Sequence, residues 1–238
     1  GKNQHAFCIN LDRGSDIRIL TNLKNTLKWL ETLLHELGHA VYEEGYDPTL
    51  PWTLKKPPHI ATTEAMALIA GRQAYSPVIY SLFGFGQDHA LVKKAQESLK
   101  RNQLIFSRWV LVMTYFEKEL YQNPHQDLNK LWWQLVNKYQ KIRIPPGREG
   151  KNDWATKYHI GVAPVYYYSY LLGEMLASSI EEALLKETGS SALTSQQTGM
   201  ILNQKLFFPG SRMVWTELVQ HVTGNPLNSD AWIKQFGS

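Results

Sequence analysis

The chain has 238 residues, 43% of them hydrophobic, which is enough for one large domain or two small ones with a real core. Its formal net charge of +4 is spread along the sequence and forms no run of Lys and Arg, so the charge does not indicate a nucleic-acid partner. Cys8 is the only cysteine, which excludes an internal disulfide and favours a reducing, cytoplasmic compartment.

No stretch approaches the ~18 to 20 consecutive apolar residues of a membrane-spanning helix, so we expect no membrane span in this chain. The first residue is Gly1 and not Met, so we expect a trimmed piece of a longer protein, and a missing signal peptide says nothing about export. The sequence shows no internal repeat, low-complexity tract or clear domain boundary. We therefore predict a single domain over residues 1–238.

Two short apolar segments lie near the start of the chain. Residues 6–9 and 17–20 flank a turn-like segment at residues 12–15, which predicts a small β-hairpin or a sheet edge. From Thr21 the apolar residues recur at steps of three and four, which predicts a long amphipathic helix. These residues are Leu23, Leu27, Leu30, Leu34, Leu37 and Val41.

Four prolines between residues 48 and 58 then interrupt the chain. Thr62 and Thr63 are candidate N-caps of a second helix, with Glu64 in its first turn. Further helices are predicted at about residues 88–121, 127–141, 164–186, 195–206 and 212–222, with Gly189 as a C-cap. Strand signals are nearly absent after residue 20, so the predicted fold class is mainly α.

The sequence His-Glu-Leu-Gly-His at residues 35–39 lies inside the first predicted helix. Residues four apart share one helix face, so His35 and His39 can both direct a ring nitrogen at one metal ion. Catalytic zinc takes three protein ligands and a water whose pKa falls to roughly 7, and Glu36 beside that water would be a general base. The alternative is a pair of surface or core histidines. Gly38 costs roughly 1 kcal/mol relative to alanine inside a helix, which indicates the close approach of another element.

Glu64 is the candidate third ligand. It follows the Pro-rich reversal, where a helix, a loop and an antiparallel helix can bring a carboxylate back to the metal. The alternative is a structural acidic residue that favours the positive end of its helix dipole.

His159 is expected in a loop, and four tyrosines at the start of a helix follow it: Tyr166, Tyr167, Tyr168 and Tyr170. A phenol or an imidazole N–H directed at a developing oxyanion contributes ~3 kcal/mol in a dry site. The alternative is aromatic core packing around a hydrogen-bonded histidine.

Several further segments, in the same order along the chain, carry a family resemblance. They are residues 16–19, Thr63-Glu64-Ala65, 131–133, 138–140, 145–146, 157–160 and 222–226. With the His-Glu-Leu-Gly-His segment, they make the chain resemble the C-terminal, zinc-bearing half of the angiotensin-converting enzyme family, the gluzincin peptidyl-dipeptidases. Thimet oligopeptidases share that zinc architecture, and their Tyr-Tyr-Gly-Tyr-Leu pattern is similar to residues 167–171.

The resemblance implies a helical, ellipsoidal zincin-type fold with a deep cleft and a short extended edge near the N-terminus. It also implies that His35, His39 and Glu64 bind zinc. Glu36 would then activate the water and later pass its proton to the leaving amine. His159 would stabilise the tetrahedral intermediate.

The family also uses two tyrosines three positions apart, and Tyr167 and Tyr170 fit that spacing. Tyr167 would grip the terminal carboxylate of the peptide and Tyr170 would donate to the oxyanion, although Tyr166 or Tyr168 could take one of these places. Lys157 matches the lysine that pairs with the C-terminal carboxylate of the peptide, and its alternative is a solvated loop lysine.

The chain also departs from the family pattern. Val136 and Tyr168 stand where the family's chloride sites use arginines, so chloride activation is not expected. Leu68 replaces the acidic residue expected four positions after the zinc glutamate, so a histidine ligand must find another hydrogen-bond partner. The family's substrate-binding strand would correspond to residues 8–12, where Ile9 replaces the usual histidine.

The resemblance thus implies a zinc metallopeptidase that acts on short peptides as a dipeptidyl carboxypeptidase. It also implies that the N-terminal half of the enzyme is missing from this chain, which would hold a metal but turn peptides over weakly or not at all by itself. One alternative is a broader thimet-type oligopeptidase. Another is a non-catalytic module that binds zinc or peptides.

Overall fold

The computed structural model describes residues 2, 4–86, 88–189 and 195–237. Over these ranges the chain is mainly helical, with one two-stranded sheet, which confirms the predicted fold class. None of the helices in this part of the chain combines the length and the apolar composition that a bilayer span requires.

The strands are β1 (Phe7–Asn10) and β2 (Ile17–Leu20). The helices are α1 (Leu27–Glu44), α2 (Ile60–Arg72), α3 (Pro77–Leu82), α4 (His89–Gln122), α5 (Leu128–Gln140), α6 (Tyr158–Gly161), α7 (Tyr168–Thr188), α8 (Gln196–Leu202), α9 (Trp215–Thr223) and α10 (Asp230–Phe236). A π-helical turn at Asn203–Phe207 follows α8, and short 3-10 turns lie at Trp52–Leu54, Gln73–Tyr75 and Asp153–Thr156.

Two compact units make up the chain, one from residues 1–99 and 172–238 and the other from residues 100–171. In the first unit, β1 and β2 form an antiparallel hairpin in which Phe7 lies opposite Leu20. Helix α1 packs against both strands and against α2. The core of this unit contains Tyr42 of α1, Ile69 of α2 and Ile180 of α7, all fully buried. Both histidines of the metal motif therefore lie on a helix held by a hairpin and a second helix.

The second unit has an aromatic core. Trp132 of α5 contacts Trp109 and Phe116 of α4 edge-on, with ring centroids 5.6 Å and 5.2 Å apart. The indole N–H of Trp154 donates to Asn129 Oδ1 at 3.1 Å, which ties the turn at Asp153–Thr156 to α5. This turn leads directly into the segment that carries Lys157 and His159.

Several predicted bounds agree with the structure. The hairpin forms as predicted, and α4 and α5 begin and end within a residue or two of their predicted limits. Asp127 caps α5 by accepting a hydrogen bond from the backbone N–H of Lys130. Gly189 follows α7 with a left-handed φ of +74°, which glycine adopts without strain.

The starts of α1 and α2 differ from the prediction. Helix α1 begins at Leu27, capped by Thr26, so Leu23 lies outside it. Helix α2 begins at Ile60, where the imidazole of His59 accepts from the N–H of Ala61, so Thr62 and Thr63 are not caps. Glu64 therefore lies beyond the first turn, and the helix-dipole alternative for this residue loses its basis.

Other elements were missed or misplaced by the sequence pattern. His159 lies in the short helix α6 and not in a loop. Helix α9 begins at Trp215 instead of about residue 212, and the predicted helix at 195–206 ends in a π-helical turn. The short helices α3 and α10 were not predicted.

Candidate functional site

His35, His39 and Glu64 converge in the first unit. One potential ligand atom from each lies within 4.8 Å of the others. The carboxylate oxygen Oε2 of Glu64 is 3.6 Å from Nε2 of His35 and 4.0 Å from Nε2 of His39. Zinc with tetrahedral geometry and bonds of about 2.0 to 2.1 Å would separate its ligand atoms by about 3.3 to 3.4 Å. Two imidazole nitrogens and a carboxylate oxygen are a donor set that fits a zinc ion, and their spacings of 3.6 Å and 4.0 Å are somewhat wider than those around bound zinc.

Gly38 allows α1 and α2 to approach closely at this site. A Cβ atom at Gly38 would lie 2.7 Å from Cα of Ala67 and 2.9 Å from Cβ of Ala70. It would also lie 2.9 Å from the carbonyl oxygen of Met66. These distances are shorter than ordinary contacts between nonbonded atoms. The close approach predicted for Gly38 is therefore confirmed, and it brings the helix of Glu64 to the helix of the two histidines.

A second glycine, which the sequence did not single out, supports Glu64 from α7. A Cβ atom at Gly173 would lie 3.0 Å from Cβ of Glu64 and 3.3 Å from Cδ1 of Leu68. Glu64 itself is only 3% exposed. The backbone of α7 thus packs directly against the candidate metal ligand.

The end of α2 is fixed to α7 by buried charges. The Arg72 guanidinium donates through Nη2 to the carboxylate of Glu174, and through Nη1 to Glu181 Oε2 at 2.6 Å. Gln235 of α10 also donates to Glu181 Oε2, at 3.1 Å. The helix that carries Glu64 is therefore held at its C-terminal end by ion pairs as well as by packing.

Burial keeps both motif histidines neutral. It lowers the pKa of His35 to about 3, with the charges of His39 and Lys28 adding to the effect, and it lowers the pKa of His39 to about 4. A metal ligand must be a neutral imidazole with a free lone pair. At pH 7 both rings are therefore in the form that binds a metal.

Glu36 has the properties of a general base. The residue is 7% exposed, and burial raises the pKa of its carboxyl group to about 7, against the opposing effect of a hydrogen bond from the backbone of Cys8. General bases work best when their pKa lies near the working pH. The contact with Cys8 shows that the hairpin positions this carboxylate, which sequence reasoning did not foresee.

His39 makes a hydrogen bond through its second ring nitrogen. Its Nδ1 lies 2.7 Å from Oγ1 of Thr63, the residue just before Glu64. Leu68 cannot accept a hydrogen bond, so a histidine ligand needs a substitute partner. Thr63 is that partner for His39.

The remaining candidate residues gather in the second unit. Nε2 of His159 lies 3.4 Å from the hydroxyl of Tyr170, and the ring centroids of His159 and Tyr167 are 4.8 Å apart. The indole N–H of Trp109 donates to the hydroxyl of Tyr167 at 2.7 Å. The Lys157 ammonium lies 5.5 Å from the ring centroid of Trp109, within the range of a cation–π contact.

The loop before these tyrosines is strained at Val165. Its φ of +56° is left-handed, a region that β-branched residues rarely adopt. The buried carboxylate of Glu117 accepts a hydrogen bond from the Val165 N–H and holds this conformation. Strained backbone of this kind concentrates at functional sites.

The structure therefore brings the predicted residues together in two groups, each within its own unit. The first group contains the three candidate ligands, and Glu36 follows His35 on the same helix. The second contains His159, Tyr167 and Tyr170, and Lys157 lies near it, against the Trp109 that bonds Tyr167. In the second group Tyr166 also approaches His159, at 5.8 Å between ring centroids.

Comparison with known proteins decides the family. The peptidase M2 family model, described as angiotensin-converting enzyme, matches residues 3–236. The chain belongs to the angiotensin-converting enzyme family. The resemblance seen in the sequence is thereby confirmed.

Two curated relatives show how much of this family's proteins the chain represents. Angiotensin-converting enzyme of Rattus norvegicus is 26% identical over 253 residues, which cover 98% of this chain and 18% of the rat protein. Carboxypeptidase 1 of Bacillus subtilis (strain 168) is 24% identical over 253 residues, which cover 94% of this chain and 50% of that protein. The chain thus spans half or less of the length of these relatives.

Solved structures share the fold. The M32 carboxypeptidase from Deinococcus radiodurans R1 matches with a TM-score of 0.76 at 19% identity, over 98% of this chain and 54% of that one. Metallocarboxypeptidase 1 of Trypanosoma cruzi matches with a TM-score of 0.79 at 20% identity, over 98% of this chain and 53% of that one. The helical arrangement described above is therefore that of the carboxypeptidase structures.

Proposed function

We propose that this chain supplies the metal-binding side of a zinc-dependent metallopeptidase that hydrolyses short peptides. His35, His39 and Glu64 are the proposed zinc ligands. The convergence of their three ligand atoms within 4.8 Å is the observation that carries the proposal. Membership of a peptidase family supports the same reaction class.

Bound zinc would supply a Lewis acid for a peptide carbonyl and a lowered pKa for water. In this proposal Glu36 takes the proton of the attacking water and then gives it to the leaving amine. Its pKa of about 7 suits both steps, because the group can accept and release a proton near neutral pH. Its burial also limits the competition of bulk water for that proton.

For the second unit, we propose the roles that the family resemblance implies. His159 and Tyr170 would donate hydrogen bonds to the oxyanion, and Lys157 and Tyr167 would bind the terminal carboxylate of the peptide. The hydrogen bond from Trp109 supports a fixed position for the Tyr167 hydroxyl. The mutual approach of His159 and Tyr170 supports a shared role for these two residues.

The finer specificity that we propose is removal of dipeptides from peptide C-termini. A thimet-type oligopeptidase is the second candidate, because residues 167–171 are similar to that family's tyrosine pattern. Product lengths distinguish the candidates: dipeptides support the first, and internal cleavage supports the second. A peptide with an amidated C-terminus tests the carboxylate anchor, since equal cleavage of free and amidated peptides would contradict the role of Lys157.

The metal and the base are tested separately. The purified chain is dialysed against zinc and then against buffer, and its zinc content is measured. We expect one zinc ion per chain, and no bound zinc in the Glu64→Ala variant. Absence of bound zinc in the unaltered chain would overturn the proposal.

The variant Glu36→Gln tests the general base, and it is made in the full-length natural protein that contains this chain. It should keep the zinc but lower peptide turnover by roughly 10²- to 10⁴-fold, the usual contribution of a general base. Glu44→Gln is the matched control, because Glu44 is an exposed residue at the end of the same helix. Unchanged turnover in Glu36→Gln would favour a non-catalytic zinc or peptide module.

A further inference from the structure

Helix α2 brings two polar groups to α1 from adjacent positions in the sequence. Glu64 directs Oε2 toward Nε2 of His39 at 4.0 Å, while Thr63 places Oγ1 2.7 Å from Nδ1 of the same ring. The two nitrogens of one imidazole are thus approached by two consecutive residues of a single helix turn. The hydrogen bond from Thr63 restrains the ring, while Glu64 lies on the side of Nε2.

The hydrogen bond has a direction once the ring binds a metal. Coordination through Nε2 requires the lone pair of that nitrogen, so the proton of a neutral imidazole must lie on Nδ1. The Nδ1–H then donates to the hydroxyl oxygen of Thr63. A distance of 2.7 Å is at the short end of the range for an N–H···O hydrogen bond.

We infer that Thr63 is the positioning residue of the metal centre, and that its hydroxyl holds the His39 ring in the orientation and tautomer that bind the metal. This inference rests on the proposed zinc site. It assigns to a neutral hydroxyl the function for which many zinc proteins use a carboxylate or a backbone carbonyl. Thr63 touches neither substrate nor metal and acts only through His39.

The surroundings of Thr63 explain why it can hold this position. Its neighbour Thr62 is fully buried and donates through Oγ1 to the carbonyl oxygen of His59 at 2.7 Å, which secures the first turn of α2. Gly38 lets this helix lie against α1. Thr63 is therefore presented to His39 by a helix whose start and packing are both fixed.

Zinc affinity of the chain tests the inference, measured by competition with a chelating dye at pH 7.5. Thr63→Val has nearly the same shape but no hydroxyl, and it should weaken zinc binding by about 10- to 100-fold, the usual effect of losing such a partner. Thr63→Ser restores the hydroxyl and should bind zinc nearly as tightly as the unaltered chain.

Thr62→Val is the matched control. It removes a threonine hydroxyl from the same helix turn, one that bonds His59 and not His39, so it should lower the unfolding temperature and weaken zinc binding far less than Thr63→Val does. Thermal unfolding of each metal-free variant separates loss of fold from loss of affinity. Absorption of the Co²⁺-loaded chain gives a second readout, since a reoriented His39 would change the intensity of the visible bands.

The outcomes separate this inference from the proposed function. If the unaltered chain binds no zinc, the proposed metal site itself fails. If it binds zinc and Thr63→Val binds equally tightly with the same Co²⁺ spectrum, the metal site stands and the role of Thr63 is wrong. Equal loss of affinity in Thr62→Val and Thr63→Val would also overturn that role, because the effect would then belong to the helix turn as a whole.

Discussion

Replacing Gly38 with alanine should destabilise the chain and weaken its metal site, although alanine is the better helix former. The change gains roughly 1 kcal/mol of helix propensity. Against this, the new methyl group would lie 2.7 Å from Cα of Ala67. This is about 1 Å shorter than an ordinary carbon–carbon contact. Overpacking of this kind costs roughly 1 to 3 kcal/mol, and here two of the three close atoms belong to backbone that cannot rotate away.

The same displacement should separate the metal ligands. Donor atoms bound tetrahedrally to one zinc ion lie about 3.3 to 3.4 Å apart. Glu64 Oε2 lies 3.6 Å and 4.0 Å from the two histidine nitrogens. Moving α2 away from α1 would take both distances further from those around a bound zinc ion. Zinc affinity should therefore fall along with stability.

Thermal unfolding and chelator competition measure the two effects. The net loss of up to about 2 kcal/mol corresponds to a decrease of up to roughly 8 °C in the unfolding temperature for a chain of this size. Gly199→Ala is the matched control, because Gly199 lies inside α8 and a Cβ atom there would meet nothing within 4 Å. That variant should gain stability. If Gly38→Ala is as stable as Gly199→Ala and keeps its zinc affinity, the close-approach argument is refuted.

Three further predictions concern the same unit. Gly173→Ala should weaken zinc binding with a smaller loss of stability than Gly38→Ala, since its Cβ atom would lie 3.0 Å from Cβ of Glu64; chelator competition measures this. Arg72→Met leaves buried carboxylates unpaired and should cost roughly 3 to 5 kcal/mol in urea unfolding, with part of the loss recovered by adding Glu174→Gln and Glu181→Gln. Metal-free stability should fall as the pH drops from 6.5 toward 4, because His35 and His39 bind protons only when unfolded. Between pH 7 and 4.5 the raised pKa of Glu36 has the opposite effect, because the folded chain binds this proton and gains stability as the pH falls. Glu36→Gln removes that gain and should make the loss of stability with falling pH steeper.

Capping residues and apolar periodicity predicted the helices whose limits depend on neighbouring residues in the sequence. Helix α5 was placed correctly because an aspartate cap precedes a strongly periodic apolar pattern. The predicted start of α2 was wrong because the N-cap is His59, whose imidazole accepts the capping hydrogen bond. Helix N-caps are usually Ser, Thr, Asp or Asn, so the sequence pattern did not identify this histidine. The structure places Glu64 beside the two histidines, and its role as a zinc ligand stays a prediction. The single domain and the cytoplasmic location stay predictions.

Contacts between distant elements could not be predicted in this way. Nothing in the local sequence distinguishes Gly173 from any other helical glycine, and its importance arises only where α7 meets Glu64. The contact between Cys8 and Glu36 depends on where the hairpin packs against α1. Thr63 was predicted to be a helix cap from its residue type alone. Its actual partner, His39, lies 24 positions away in the chain.

These contacts make α2 the element that determines the geometry of the metal centre. It supplies one candidate ligand through Glu64 and orients another through Thr63. Its position is fixed on one side by Gly38 of α1, on the other by Gly173 of α7, and at its end by the ion pairs of Arg72. A ligand set held this rigidly loses little conformational entropy when a metal binds, so more of the binding energy remains as affinity. The same rigidity means that small displacements of α2 should affect zinc affinity before they affect the fold.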